Sequence, residues 1–444
     1  MADIILNPDQ EQAIADLKIF VNQPQKDGFM YLLEGAAGTG KTTTVIHLLE
    51  WLVDNVHSVC VCSPTHKALK VMKNMCPEHI VNRADFATLH SMLGLKHEIT
   101  SDGSEIFVRE KGTASNYQTY RVVLVDESSM VADQLFHELV DQNMGKTKII
   151  FIGDSNQINP VNHTMSIPML GDARVEHNIG HAMLRKIVRQ AEGNPIIEFS
   201  QKVLSDTADL STGHKTVNNG KGLAVIGQGN REVLHRLVQM YFCTDVFDID
   251  PDYCKIIAWR NNTVDRYNRL VRAFKYGRDA PKFVHGEKLI VDRPVKMMKE
   301  TIFNTNEELV VTEIDIGEIH TAGSEWKVYT CRVIGDSGME TPITLLHEDE
   351  QVRYVHQLEA LSKIAKKEKD QFKRKDLWKK YFQFQENFAK VKYNYAITCH
   401  CSQGSTYDNC LVDFTDIGFN RNEDERRRIQ YTAVTRPRNM LFIL

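Results

Sequence analysis

The run Gly35-Ala36-Ala37-Gly38-Thr39-Gly40-Lys41-Thr42 fits the spacing G-x-x-x-x-G-K-[ST]. The chemistry such a run can do is phosphate binding. Its glycines let backbone N–H groups close around phosphate oxygens at a helix N-terminus. Lys41 would reach β- and γ-phosphates, and Thr42 would hold Mg²⁺. About eighty-five residues later, Val122-Val123-Leu124-Val125-Asp126-Glu127 is an apolar run ending in two carboxylates. Behind a phosphate loop, that pair supplies a metal ligand and a general base. Asp126 would hold Mg²⁺ through water, and Glu127 would orient and deprotonate the attacking water. A binding-only switch needs the first carboxylate, whereas hydrolysis needs both. In Phe151-Ile152-Gly153-Asp154-Ser155-Asn156-Gln157, the Gln157 amide can bond a γ-phosphate and report its loss. Arg189 and Arg436 are of the type that stabilises charge on a transferring phosphoryl group when supplied across a cleft. Two such arginines from a second domain would make hydrolysis depend on cleft closure.

These groups need strand ends to sit on. Strand-like runs end at Leu33, Cys62, Val125 and Ile152, with helical patterns between them, which predicts a parallel α/β unit. The stretch from about Leu95 to Tyr120 is polar, with Asp102-Gly103 between short alternating segments, and reads as an inserted β-hairpin. A second α/β unit is expected from near residue 180, with a buried strand at Lys255 to Trp259 and a helix carrying Val264 and Tyr267. From about Phe283 to Asp349 short strands are expected, at Leu309 to Thr312, Trp326 to Val333 and Pro342 to Leu346, forming a small β-barrel or sheet. Strands at Cys410 to Phe414 and Met440 to Leu444 then return to α/β character.

With 444 residues, 42% of them hydrophobic and 25% charged, the chain can bury sizeable cores. No apolar stretch approaches the ~20 residues of a membrane span. The start, Met1-Ala2-Asp3-Ile4, lacks the basic and apolar parts of a leader peptide. Nine cysteines occur without a Cys-x-x-Cys pair, so a structural metal site is disfavoured and a reducing, cytoplasmic setting is expected. The net charge of −4 means that any nucleic-acid site must be a local groove. Between Leu361 and Lys380, nine Lys/Arg stand against three Asp/Glu, either a solvated helix face or a nucleic-acid-facing surface.

The order of Gly35 to Thr42, Ser63-Pro64-Thr65-His66, Thr88-Leu89-His90-Ser91, Asp126-Glu127-Ser128-Ser129, Gly153 to Gln157, Arg189, Thr398 to Ser405 and Val434-Thr435-Arg436 resembles the motif series of superfamily 1 helicases. Within them it is similar to the RecD-like branch, small phage helicases included, over nearly the whole chain. The resemblance implies an α/β fold of two RecA-like P-loop domains, with a β-hairpin pin in the first and a small SH3-like β-barrel in the second. The expected domains are 1–180, with the pin at about 95–120, and 181–282 joined to 390–444. Residues 283–389 would hold the barrel and the basic helical segment.

By the same resemblance, Gln10 reads the adenine ring, and Gly35, Gly38, Thr39, Gly40, Lys41, Thr42, Gln403 and Gly404 hold ATP with Mg²⁺. Thr65, His66, Thr88, His90, Thr398 and His400 line a single-stranded DNA track. Trp259 and Asn261 meet the strand from the second domain, Trp259 as a base-stacking aromatic or as a core residue. Phe107 takes the place of a pin aromatic or packs the hairpin. One departure is Cys401, where the family carries a lysine; a phosphate contact would be lost there. The implied function is an ATP-dependent DNA helicase that moves 5′ to 3′ on single-stranded DNA and unwinds duplexes. A translocase that strips proteins without unwinding, or an ATP-gated DNA clamp, are the alternatives. Single-stranded and forked DNA are the expected partners, with a single-strand-binding or replication protein as a further candidate. A monomer without membrane contact is expected, working in the bacterial cytoplasm if phage-encoded.

Overall fold

The computed structural model describes residues 5–109, 115–160, 165–188, 193–227, 229–297 and 300–444. Before residue 190 the chain forms β1 (Met30–Gly35), β2 (Val59–Ser63), β3 (Asp85–Thr88), β4 (Leu95–Ile99), β5 (Glu105–Arg109), β6 (Val122–Val125), β7 (Lys148–Gly153) and β8 (Ile179–Leu184). Among the described residues, six of these make one parallel sheet in the order β3-β2-β6-β7-β1-β8. Leu33, Val61, Leu124, Ile150 and Ile152 fill it, packed against Leu17 of helix Pro8–Asn22 and against Leu48, Leu49 and Leu52 of helix Lys41–Asn55. Strands covered on both faces read as unbroken apolar runs, which is why β1, β2, β6 and β7 were legible. The edge strand β8 alternates between buried and open positions and lacks that signature. It pairs with β1 from Met30 opposite Ile179 to Gly35 opposite Leu184, so the first sheet extends through the boundary expected near 180.

The chain then forms β9 (Lys215–Asn218), β10 (Lys221–Val225) and β11 (Cys254–Ala258), and helix Asn261–Tyr276 follows. Next come β12 (Lys288–Val291), β13 (Val295–Met297), β14 (Glu300–Phe303), β15 (Glu308–Thr321), β16 (Ser324–Ile334), β17 (Glu340–Leu346), helices Gln351–Lys367 and Gln371–Glu386, and β18 (Val391–Tyr393). β19 (Ala396–Thr398), β20 (Tyr407–Val412) and β21 (Pro437–Ile443) complete a second sheet in the order β19-β11-β20-β21-β10-β9, parallel except for its β9 edge.

The molecule divides into two compact units. One is Met1–Gly94, Lys111–Tyr267 and Ala396–Leu444, and holds both parallel sheets. The other is Leu95–Glu110 with Asn268–Tyr395. Its antiparallel sheet, in the order β17-β16-β15-β12-β18, encloses Leu289, Leu309, Val311, Cys331 and Ile343. At its root, the buried Glu287 carboxylate accepts from Tyr395 Oη at 2.6 Å and Arg272 Nε at 3.0 Å, the pairing that a buried charge requires.

Three expected bounds shift. The hairpin β4–β5 ends by Arg109, not at 120. Residues Asn116–Thr119 form a short 3₁₀ turn, and buried Tyr117 there donates to Leu139 O at 3.0 Å. The stretch is polar enough to hide that one buried ring. The strand expected at Leu309 to Thr312 runs on to Thr321 as a long ribbon with β16, along which Glu313, Asp315 and Glu318 are exposed and hide the strand's apolar pattern. β18 pairs with β12, so the insertion closes at Tyr395, later than the expected 389.

Candidate nucleotide and strand sites

Phosphate-loop geometry follows from the end of β1. Gly38 and Gly40 take positive φ of 83° and 79°, which residues with a Cβ rarely adopt. Gly40 also leaves room for Gln10, whose amide would collide with any Cβ there. Buried Gln10 closes a capping box with Asn7 and donates to Thr39 O at 3.3 Å, which ties the first helix to the loop. Lys41 Nζ donates to Gly35 O and, at 3.2 Å, to Ala36 O. Thr42 occupies the first turn of helix Lys41–Asn55.

Asp126 and Glu127 sit at the end of β6. Burial and the neighbouring Glu127 charge push Asp126 up. Burial also raises Glu127, against the opposing pull of Arg436 and Lys41. A hydroxyl and a carboxylate, at Thr42 and Asp126, are the hard oxygen donors that suit Mg²⁺, and a cation is what this crowded carboxylate pair needs. Glu127 has φ +50, a left-handed conformation uncommon for a glutamate. Ser128 Oγ, donating to Ile152 O at 2.8 Å, and Met130 N–H, donating to Glu127 O at 2.9 Å, hold that turn.

The second sheet reaches this cluster through two segments. Gln403, buried, donates from Nε2 to Gln157 Oε1 at 3.3 Å and to Ser129 Oγ at 3.2 Å. Gly404 has φ +74, and a Cβ on it would lie 2.7 Å from Ala68 Cβ. From helix Glu423–Val434, Tyr431 Oη accepts from Ala37 N–H at 2.9 Å and donates to Asp154 Oδ2 at 2.8 Å. Burial and the Asp154 charge hold that phenol well above its ordinary range. Arg428 bonds the carbonyls of Ser155 and Gln157, and Thr432 Oγ1 accepts from Ile158 N–H at 3.1 Å. Arg436 is buried beside these groups, donating to Thr432 O at 2.8 Å and Ser405 O at 3.1 Å. Arg189 lies outside the described residues. The segment leading to it is anchored, with Val188 N–H on Gly38 O at 3.0 Å and Lys186 N–H on Asp9 Oδ2 at 2.9 Å.

Tyr431 and Arg428 were missed from sequence. Their signal was the helix that runs into Arg436, on which 428 and 431 fall one turn before 432 and its cap 435. A phosphate oxygen entering the loop must compete with Tyr431 Oη for Ala37 N–H. Tyr431→Phe is therefore expected to tighten binding of a fluorescent ATP analogue about fivefold, the equivalent of one neutral hydrogen bond. Weaker binding in that titration would mean that the hydroxyl helps to hold nucleotide.

The candidate strand residues share a local design. Thr65 follows β2, and Thr88 and Thr398 end β3 and β19; each hydroxyl caps the next helical turn, accepting from Ala68, Ser91 and Cys401 N–H at 3.3 Å. An accepting hydroxyl keeps its own O–H to donate, as a phosphate contact needs. His90 is held below its ordinary range by burial and by His66 nearby, and burial does the same to His400. Trp259 is half-buried, neither in the core nor fully open, and its backbone N–H donates to Asp416 Oδ2 at 2.8 Å. Asn261 is exposed at the start of the next helix. Phe107 lies on the hairpin face in β5, 41% exposed, in the other compact unit. Cys401 is half-buried on the turn that Thr398 caps. No cluster of metal-ligating His, Cys, Asp or Glu occurs among the described residues.

Two family models match the chain, an AAA domain at residues 20–163 and a UvrD-like helicase C-terminal domain at residues 393–444. An uncharacterised protein of Acanthamoeba polyphaga mimivirus is 26% identical, covering 97% of this chain and 98% of its own length. The ATP-dependent DNA helicase dda of Enterobacteria phage T4 is 24% identical, covering 92% of this chain and 93% of its own length. Among solved structures, Bacteroides Pif1 bound to single-stranded DNA superposes with a TM-score of 0.51 at 16% identity, covering 99% of this chain and 92% of that one. At that identity the likeness is one of fold.

Proposed function

We propose, from the premise that this chain is a superfamily 1 helicase of the RecD/Pif1-like kind, that it spends ATP to move 5′ to 3′ along single-stranded DNA and to part duplex DNA. The observation that carries the mechanism is the set of contacts from Gln403, Arg428 and Tyr431 onto the loops that would hold nucleotide, with the Arg436 charge acting on Glu127. Lys41 and the loop amides bind the phosphates. Glu127 takes the proton of the attacking water, and Arg436 meets the charge that develops on the γ-phosphoryl group. Mg²⁺ held by Thr42 and Asp126 would neutralise phosphate charge.

Loss of the γ-phosphate is felt first at Gln157 and Gln403, and so by the turn after β19 that carries Thr398. That turn belongs to the proposed strand track. Changing its grip relative to the Thr65 and Thr88 turns makes a step. Domain bounds near those expected, a pin at β4–β5, an SH3-like barrel in the insertion and a replication-protein partner complete the proposal.

The test compares duplexes with a 5′ tail, a 3′ tail and a fork, with ATP present. Unwinding from the 5′ tail and the fork, with ATP turnover stimulated by single strands, is expected. Unwinding only from the 3′ tail overturns the polarity. No unwinding, with protein still displaced from a single strand, makes the chain a translocase.

A further inference from the structure

Between Leu361 and Lys380, nine Lys/Arg and three Asp/Glu occur in a chain whose net charge is −4. This run forms the end of helix Gln351–Lys367 and the first part of helix Gln371–Glu386, which pack on each other. Like charges one turn apart repel unless something of opposite sign faces them. Lys363 has Glu359 at 3.6 Å and Lys379 has Asp376 at 3.8 Å, both exposed pairs of little worth. Among the described residues, Lys366, Lys367, Lys369, Lys373 and Lys380 are exposed and have no carboxylate partner.

The same helix grips the hairpin. Trp378, buried, lies under the turn between β4 and β5, where a Cβ on Gly103 would sit 2.5 Å from the indole. Gly103 has φ +88, so glycine is favoured there by backbone and by space alike. One turn away from Trp378, Lys375 pairs with Glu98 of β4 at 3.2 Å. Lys379 follows Lys375 on one stripe, and Lys373 and Lys380 flank it. Hairpin turn and lysine face thus belong to one body.

We infer that this lysine face binds the phosphate backbone of duplex DNA, seating the double-stranded arm of a fork beside the hairpin. The inference rests on the helicase reading above. A duplex carries one negative charge per ~1.7 Å of axis, and a helix of 16 residues spans about 24 Å of it. Lysines are mobile point charges that suit contact without sequence preference.

The test uses the full chain carrying Lys373→Gln, Lys379→Gln and Lys380→Gln together. Glutamine has nearly the helix propensity of lysine, so the helix is kept. Affinity for a forked duplex is expected to fall on the order of tenfold, and the slope of log affinity against log salt to shrink by ~2–3. Affinity for the single-stranded tail alone, and ATP turnover stimulated by it, are expected to stay at wild type. The corresponding triple arginine variant is expected to restore fork binding. Unchanged fork affinity and salt slope overturn the inference, as do equal losses on fork and single strand, or failure of arginine to rescue. Wild-type protein that unwinds no fork would count against the helicase reading, whereas a glutamine variant with wild-type fork binding counts against this inference alone.

Discussion

Glu127→Gln is expected to leave ATP binding near wild type while hydrolysis stimulated by single-stranded DNA falls by ~10²–10⁴-fold, the span of a positioned general base. The substitution is nearly isosteric, so the shape of the side chain is kept. The backbone at φ +50 is held by neighbours rather than by the Glu127 side chain, through Ser128 on Ile152 and Met130 on Glu127 O. A residue kept in the left-handed region costs on the order of 1–3 kcal/mol. That cost is met here at the position where a carboxylate must project from the end of β6 toward the phosphate loop. What the variant loses is only the ability to take a proton. Titration with a fluorescent nucleotide and steady-state phosphate release separate the two effects. A wild-type turnover rate would remove Glu127 from the role of base, and lost binding would make it part of the nucleotide cradle.

How much of this was legible in the sequence depended on distance along the chain. The phosphate loop, the Asp126-Glu127 pair and the central strands are local patterns, each specified within about ten residues, and they stand where those patterns placed them. Tyr431 is another matter. It meets Ala37 across 394 residues, and nothing near either residue announces the partner. The threonine caps were visible as motif residues, yet their shared geometry required the turns after β2, β3 and β19 to be seen together. β8 has no counterpart among the expected strands, because an edge strand has only half the apolar signal of a central one. The hairpin's lodging against Trp378 was hidden because an indole filling the space over a glycine leaves no trace in spacing.

Arg436→Lys is expected to lower hydrolysis by about 10³-fold or more, at the scale of an arginine supplied to a phosphoryl transition state. The positive charge remains in the variant, so the loss isolates what the guanidinium plane does. In this structure its Nε, Nη1 and Nη2 donate to Thr432 O, Ser405 O and Thr435 Oγ1. Those bonds use three of its five N–H groups and orient the planar fork. An ammonium cannot span Thr432 and Ser405 together, so it would not be held in one direction. Some stability must go with those bonds, and the measurement has to separate that loss from catalysis. Turnover per active site, with sites counted by nucleotide binding, is compared with the shift in Tm. A purely structural clamp would lower Tm and leave turnover per site near wild type. A residue that meets the γ-phosphoryl charge would lose turnover far beyond the fraction unfolded, with nucleotide affinity little changed. Because Arg436 directly follows the helix that carries Tyr431 and donates back to Thr432 O on it, the second outcome would also mean that the helix gripping the phosphate loop positions the catalytic charge, so that closure and chemistry are a single event.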